Sequence, residues 1–358
     1  MGLVLKSNTA MTLKKLTDLG LSGVTAHLDF RDATYKQGST AVDLTSLLTC
    51  VRSTIGGSVN AYTEYTEVAA NMLRNSYSAS AAKKGLLIEG QFTNYFLNSQ
   101  APVSQSISIS QATNIANVLD VIGTGSAKLY DASNNLLGTA IQGKPFVYVP
   151  SAAGTVTLNI VIEGSLQFCS YYTSIDCIRQ VTRVKTTTAS VQANTDIVKL
   201  ITAKITEFLG SDLTGCIVVK QFVPGKIFDR NKTQARTSPI LQFTTTDNNV
   251  GIFVNRAENS SLGNFLRVRT ATPVETVKPT SLNLQQSNIF AVNVSPTAAQ
   301  LAVNGEIGEE ITFGAMALNK LCIGSGEAYS VNNTNYIEEI LFFDRVLTIE
   351  ELKMISTL

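Results

Sequence analysis

The side chains able to do chemistry are few in this 358-residue chain, and they are scattered. Its one histidine, His27, stands in the strand-like run VTAHLDF, and a lone strand imidazole reads as structural. Five cysteines, Cys50, Cys169, Cys177, Cys216 and Cys322, include no CxxC pair, so the clustered ligands of a zinc site are missing. Buried free thiols are the expectation, with a Cys169–Cys177 contact across a hairpin as the alternative. Ser-His-Asp chemistry would rest on His27 alone, and the chain has neither a Gly-x-Ser-x-Gly elbow nor a glycine-rich phosphate loop. Glycoside hydrolysis needs two carboxylates facing one bond. Glu309-Glu310 and Glu338-Glu339 are adjacent, so within a strand each pair points to opposite faces. The expectation is a protein that is not an enzyme.

One carboxylate stands out by its setting. In KKGLLIEGQFTNYFLNS (Lys83–Ser99), Glu89 directly follows the apolar run Leu86, Leu87, Ile88 and precedes the aromatics Phe92, Tyr95 and Phe96. A charge in such surroundings needs a partner. Arg52 and Arg74 are the expected ones, forming a polar lock.

The elements that must position these groups are mostly strands. Hydrophobic residues make up 44% of the chain and charged residues 15%, a globular composition. From Gly154, GTVTLNIVIEG puts Val156, Leu158, Ile160 and Ile162 on one face and Thr155, Thr157 and Asn159 on the other. SAKLYDASNNLLGTAI folds at Asp131–Asn135 into a hairpin, and KPFVYVP reads as a strand. GCIVVKQFV, PILQFTTT, VGIFVN, NFLRVRT, IFAVNV and AQLAVNGEI continue the style, with Asn304-Gly305 as a type I′ turn. Short strands separated by turn residues specify a β-sandwich class. TDIVKLITAKITEFLG (Thr195–Gly210) carries helical spacing in β-branched residues, which leaves helix and strand both open. In LTIEELKMIS, Thr348 and Glu351 form a capping box, with Leu352 and Ile355 inward, so a short helix follows.

Charge and hydropathy exclude whole classes of partner. Lys plus Arg is 28 against Asp plus Glu 27, a net charge of +1, and nucleic acid is not expected without a basic surface. Apolar runs such as Ile217–Val219 fall far short of the roughly 20 residues that cross a bilayer, so no membrane insertion is expected. MGLVLKSNTAMTLKKL lacks the pattern of a secretory signal, and folding in a cytosol is the expectation, whatever the final location.

Four segments then form an ordered series: LDFRDATYKQGS (Leu28–Ser39), LLTCVRST (Leu47–Thr54), VAANMLRNSY (Val68–Tyr77) and GLLIEGQFTNYFLNS (Gly85–Ser99). Together, across Val24 to Ser99, they resemble a signature that recurs in bacteriophage virion proteins. VIGTGSAKLYD and GKPFVYVPSAAGTVTLNIVIEGSLQF resemble the small β-sandwich common after that signature in tail proteins. Thr182-Arg183 resembles the junction to the next domain. Lys185 to Leu358 resembles a concanavalin-A-like, laminin-G-type sandwich, most specifically in IEEILFFDRVLTIEELKMIS. There Asp344-Arg345 is expected to order the turn between the final strand and the helix.

The resemblance implies tandem β-sandwiches, mainly β, ending in a concanavalin-A-like jelly roll with a short terminal helix. Its domains would be a virion-docking segment over 1–23, the signature module over 24–100, a small β-sandwich over 101–178 and the large sandwich over 185–358. Breaks near Ser99–Gln105 and Ile178–Lys185 are expected to be crossed by few contacts. The implied protein is a structural component located in the virion, a tail fibre, spike or decoration subunit. It would dock on other virion proteins through its N-terminal region and attach to a host-surface glycan or protein. A homo-oligomer is expected, with a trimer favoured.

Receptor contact is expected on loops of the large sandwich, at Tyr329, Asn332, Asn333 and Tyr336 in GSGEAYSVNNTNY. Carbohydrate-binding members of this class often present aromatics, and this chain departs from them in having no tryptophan. No cofactor is expected. Calcium is the open alternative, because laminin-G-type sandwiches can hold it at a loop rim; Asp247–Asn249 and Asn332, Asn333 and Asn335 offer oxygens. Two other functions stay open. One is a purely architectural head, collar or baseplate subunit. The other is a secreted lectin-like adhesion protein, with which the sequons at Asn231, Asn259 and Asn332 are compatible.

Overall fold

A computed structural model describes residues 15–61, 64–78, 84–113, 115–174, 180–224, 237–257, 264–270, 274–278, 286–327 and 334–358. The protein is mainly β; most of its described strands build two sandwiches with separate cores, and Gly56–Val59 and Tyr65–Val68 pair as a separate two-stranded sheet. Period-two alternation places the residues as the sequence predicts. In Gly154–Glu163, Leu158 and Ile160 are buried while Thr155 and Thr157 face solvent.

The large sandwich packs an eleven-stranded sheet against a seven-stranded one, counting the described residues. The order in the first is Glu306–Ile307, Ala298–Val303, Ser287–Val294, Gly215–Phe222, Asn335–Phe343, Val24–Asp29, Thr34–Gln37 and Thr40–Ala41. Lys84–Ile88 also pairs with Asn335–Phe343, and Asn75–Tyr77 with Lys84–Ile88. The second sheet runs Val274–Lys278, Asn264–Arg269, Gly251–Ala257, Thr237–Thr244, Lys320–Ile323, Ile197–Leu200 and Leu48–Val51. At the Asn304-Gly305 turn both residues have positive φ, 48° and 85°, as a type I′ hairpin requires.

These pairings correct the expected module over 24–100. Its strands contribute to both sheets of the large sandwich, and Leu28, Leu48, Leu86 and Ile88 share one core with Val219, Phe243 and Phe342. Strands of four to six residues such as Leu48–Val51 and Val24–Asp29 bury their apolar faces only by joining a larger sheet. Residues 1–14 lie outside the described residues. Of the remainder of the 1–23 segment, the turn Leu16–Leu19 inserts Leu16 beneath the terminal helix, against Cys216, Val218 and Phe343.

The small sandwich pairs Gln105–Gln111, Gly154–Glu163, Ser126–Tyr130 and Leu136–Ile141 in one sheet. The facing sheet holds Phe146–Tyr148, Ala116–Gly123, Leu166–Ser174, Phe92–Asn94 and Val191–Ala193. The flanking strands at Phe92–Asn94 and Val191–Ala193 carry it beyond 101–178 on both sides. Nor are the expected breaks sparsely crossed. Ser99 N–H donates to Thr186 Oγ1 at 3.1 Å and Thr186 N–H donates to Ser99 Oγ at 2.9 Å.

The ambiguous stretch Thr195–Gly210 resolves as both readings in succession. Ile197–Leu200 is a strand that buries Val198 and Leu200, and α1 (Thr202–Leu209) follows, burying Ile205, Phe208 and Leu209. The terminal helix α2 (Ile349–Ser356) has the predicted capping box between Thr348 and Glu351, with Leu352 and Ile355 inward. Arg345 forks onto both Glu351 oxygens at 2.8 and 2.7 Å and donates through Nε to Ser22 O at 3.1 Å. It thereby orders the turn as expected.

The Arg345 hydrogen bond, with the Thr348 N–H, holds the Glu351 carboxyl at about 2 against an ordinary 4.5. The stabilisation is therefore complete above the ordinary value and is lost as pH falls towards about 2. Glu351→Gln is expected to flatten the acid limb of stability across that window, read by denaturant unfolding at stepped pH. Thr348→Ala is expected to cost about 1 kcal/mol at neutral pH.

Candidate functional site

The chain passes from the large sandwich to the small one after Ile88 and returns before Ile197, and a group of four buried charges sits at that crossing. Each member is placed by the end of a strand. Arg52 follows Leu48–Val51, Arg74 precedes Asn75–Tyr77, Glu89 follows Lys84–Ile88 and Asp196 precedes Ile197–Leu200. All four are at most 2% exposed.

Arg74 is the hub. Its Nη1 donates to Glu89 Oε2 at 2.7 Å, to Thr182 Oγ1 at 2.8 Å and to Gly57 O at 2.8 Å, and its Nη2 pairs with Asp196. Arg52 Nη1 reaches Asp196 Oδ1 at 2.5 Å. Burial alone would drive the charge off Arg74; the Asp196 and Glu89 carboxylates reverse that and hold its pKa above the ordinary value. Glu89 also accepts from Val181 N–H at 2.5 Å, Thr182 N–H at 3.2 Å and Thr182 Oγ1 at 2.5 Å. Gly56 permits the close approach, since a Cβ there would come within 2.8 Å of the Arg52 guanidinium carbon.

The sequence anticipates Glu89 and its pairing with Arg74. It misassigns Arg52, whose partner is Asp196. The usable signal is charge balance: two arginines brought into a core require two carboxylates. Because donors surround both carboxylates and water is excluded, neither is placed to abstract a proton from a ligand. Their arrangement is structural.

The rest of the signature serves the same crossing. Asn94 Nδ2 donates to Val184 O at 2.8 Å while its Oδ1 accepts from Tyr171 N–H at 3.0 Å. Phe96 enters the small core, and Ser99 clasps Thr186.

A second charged group surrounds His27. The ligand atoms of His27, Asp29 and Glu339 lie within 4.8 Å of one another, a spacing a metal ion can bridge. Cations of the chain itself already occupy it. Arg31 Nη2 donates to Glu339 Oε2 at 2.8 Å and Lys15 Nζ lies 3.1 Å from Asp29 Oδ2. Burial raises the Asp29 pKa, but the Asp32 N–H, Lys15 and Arg31 outweigh it and hold the carboxyl below its ordinary range. His27 Nε2 sits 3.0 Å from Glu339 Oε1, and Leu16 N–H points at the same carboxylate, so the group fastens the Leu16–Leu19 turn to the sheet.

Among the expected receptor residues, Tyr329, Asn332 and Asn333 lie outside the described residues. Tyr336 is corrected: it is 1% exposed and packs against Phe222, with ring centroids 6.2 Å apart, and against Leu87. The pairing of Tyr336 with both Phe222 and Leu87 puts its ring inside the protein, where it cannot meet a receptor. Asn335 also turns inward, donating to Gly324 O at 3.3 Å. At the other rim segment Lys320 Nζ occupies Asn248 Oδ1 at 3.0 Å, an ammonium where calcium would need oxygen.

Cys50, Cys169, Cys216 and Cys322 are free and buried, and burial pushes the Cys50 and Cys322 thiols up to about 11. Cys177 lies outside the described residues.

No family model and no curated protein matches the chain. Among solved structures, the Ruminococcus gnavus IT-sialidase CBM40 bound to alpha2,3 sialyllactose is 15% identical, covering 40% of this chain and 83% of that one, with TM-score 0.31. Domain 4 of AbnA, a GH43 extracellular arabinanase from Geobacillus stearothermophilus, in complex with arabinotriose, is 12% identical over 47% of this chain and 77% of that one, with TM-score 0.33. The NanB sialidase of Streptococcus pneumoniae is 15% identical, over 43% of this chain and 25% of that one, with TM-score 0.32. At such scores the likenesses carry no argument about a ligand, and the sandwich class stands on the strand register.

Arg74→Met leaves Glu89 and Asp196 buried with too few donors, and is expected to cost about 3–5 kcal/mol in denaturant unfolding. Arg74→Lys is expected to recover only part of this, since one ammonium cannot span both carboxylates.

Proposed function

We propose that the chain is a non-enzymatic virion component of a tailed phage, a fibre, spike or decoration subunit that attaches to the host surface. The observation that supports it most is the use made of the signature segment. Glu89, Asn94 and Ser99 are all committed to joining one sandwich to the other. A joint of buried ion pairs and reciprocal hydrogen bonds resists bending and transmits force, which suits a part that projects from a particle. Chemistry would call for the opposite, a carboxylate left accessible to substrate.

The Leu16–Leu19 turn supports docking through the N-terminal region. Lys15, paired with Asp29 and Asp32, holds the start of this turn against the large sandwich. Recognition at the far side would then use loops on that rigid pair of sandwiches. The architectural alternative, a subunit that binds only other virion proteins, shares the same joint and differs in its partner.

Fluorescently labelled full-length protein is expected to bind a bacterial host saturably and to compete with adsorption of the phage that carries it. Periodate treatment of the cells abolishes binding if the receptor is a glycan, and protease treatment if it is a protein. Binding to purified particles with none to cells would transfer the assignment to the architectural alternative.

A further inference from the structure

One sheet edge of the small sandwich is built unlike the others. Gln105–Gln111 ends its four-stranded sheet and pairs on one side with Gly154–Glu163, over seven consecutive residues and without a register shift. Among the described residues, its backbone hydrogen-bonds to no other segment. Alternate residues therefore direct N–H and C=O groups outward, which is a template for one more strand.

Such edges are ordinarily kept short, charged or bulged. The other end strands of the four larger sheets follow that rule. Glu306–Ile307 and Thr40–Ala41 have two residues, Phe146–Tyr148 and Val191–Ala193 three, and Leu48–Val51 four. Val274–Lys278 includes Glu275 and Lys278, and Leu136–Ile141 is bulged at Leu137. Gln105–Gln111 is long, unbroken in register, and free of charge, proline and glycine.

Its sequence indicates which strand fits beside it. Gln-Ser-Ile-Ser-Ile-Ser-Gln reads the same in both directions, centred on Ser108. Two copies laid antiparallel about a two-fold axis at Ser108 put Gln105 opposite Gln111, Ser106 opposite Ser110, Ile107 opposite Ile109, and Ser108 opposite itself. Residues directly opposite share a face and the inward or outward sense of their backbone groups. Every pair in this register joins two odd or two even positions, so the outward groups of one copy meet those of the other. Ser106, Ser108 and Ser110 are exposed, whereas Ile107 and Ile109 are buried. The pairing thus sets hydroxyl against hydroxyl on the solvent side and isoleucine against isoleucine on the core side, with no charge buried. A slip by two residues leaves the ends of the strand unmatched.

We propose that Gln105–Gln111 is a self-complementary interface through which two copies of this chain join their small sandwiches into one continuous sheet. The contact is isologous, as a closed two-fold pair requires. It stands independently of the attachment reading, and it gives a two-fold assembly where the sequence favours a trimer. One strand edge is small against the roughly 1,200–2,000 Å² of stable interfaces, so the pair is weak between free molecules. It strengthens where copies are held close together in a larger assembly.

The test uses the axis. Across an antiparallel pair, opposite Cα atoms stand roughly 4.5–5.5 Å apart, within the roughly 4.4–6.8 Å that a disulfide spans. Ser108→Cys in the full chain is expected to give a disulfide-linked dimer on mild oxidation, well above any formed by the unsubstituted chain. Ser106→Cys is expected to give none above that background, because its counterpart in the second copy stands four residues away, about 13 Å. Combining Ser106→Cys with Ser110→Cys is expected to restore the link. All three serines are exposed, so the melting temperatures are expected to hold. Ser108→Lys sets two ammonium groups face to face, and is expected to lower the dimer fraction about tenfold in sedimentation velocity at high concentration. Equal linking by Ser106→Cys and Ser108→Cys, linking by neither, or an oligomer indifferent to Ser108→Lys overturns the interface.

Discussion

The buried group of Arg52, Arg74, Glu89 and Asp196 is the constraint on which the rest of the structure depends. Two guanidinium groups and two carboxylates sit where water cannot reach them. Such a group is tolerable only if every charge has its counter-charge and its hydrogen bonds at once. The four residues come from four separate stretches of chain, so meeting that condition fixes all four together. Thr182 adds the return crossing from the small sandwich through its hydroxyl and its N–H. The joint therefore forms only when both sandwiches are in place, and once formed it sets their relation.

This explains why the segment Lys83–Ser99 is so mixed in character. Leu86, Leu87 and Ile88 must be apolar because they complete a strand of the large sandwich. Glu89 must be charged because it closes the lock, and Phe96 must be apolar because it begins the second core. Asn94 and Ser99 supply the hydrogen bonds that a backbone passing between cores would otherwise lack. One short segment thus satisfies two cores and the boundary between them.

The group around His27 follows the same rule on a smaller scale. Asp29 and Glu339 are buried on adjacent strands, Arg31 and Lys15 balance them, and His27 Nε2 lies within hydrogen-bond reach of Glu339. Both groups spend their charges internally.

Local patterns were fully legible in the amino-acid order. Strand alternation in Gly154–Glu163, the type I′ turn at Asn304-Gly305 and the cap of α2 depend on residues a few positions apart. Neighbour chemistry alone decides them. The need of Glu89 for a buried arginine was legible too, since the cost of an unpaired charge does not depend on topology. Which partners met was not. Arg74 and Asp196 are 122 residues apart, and Val24–Asp29 pairs with Asn335–Phe343 from the far end of the chain. That pairing dissolved the module expected over 24–100. The register of the same final strand turned Tyr336 inward between Phe222 and Leu87. A turn-rich flank made that tyrosine look like a loop residue; only the neighbouring strands, brought in from elsewhere in the sequence, could make it core. Periodicity says that a strand has a buried face, but what covers that face is decided by chain segments too distant for any local pattern to specify.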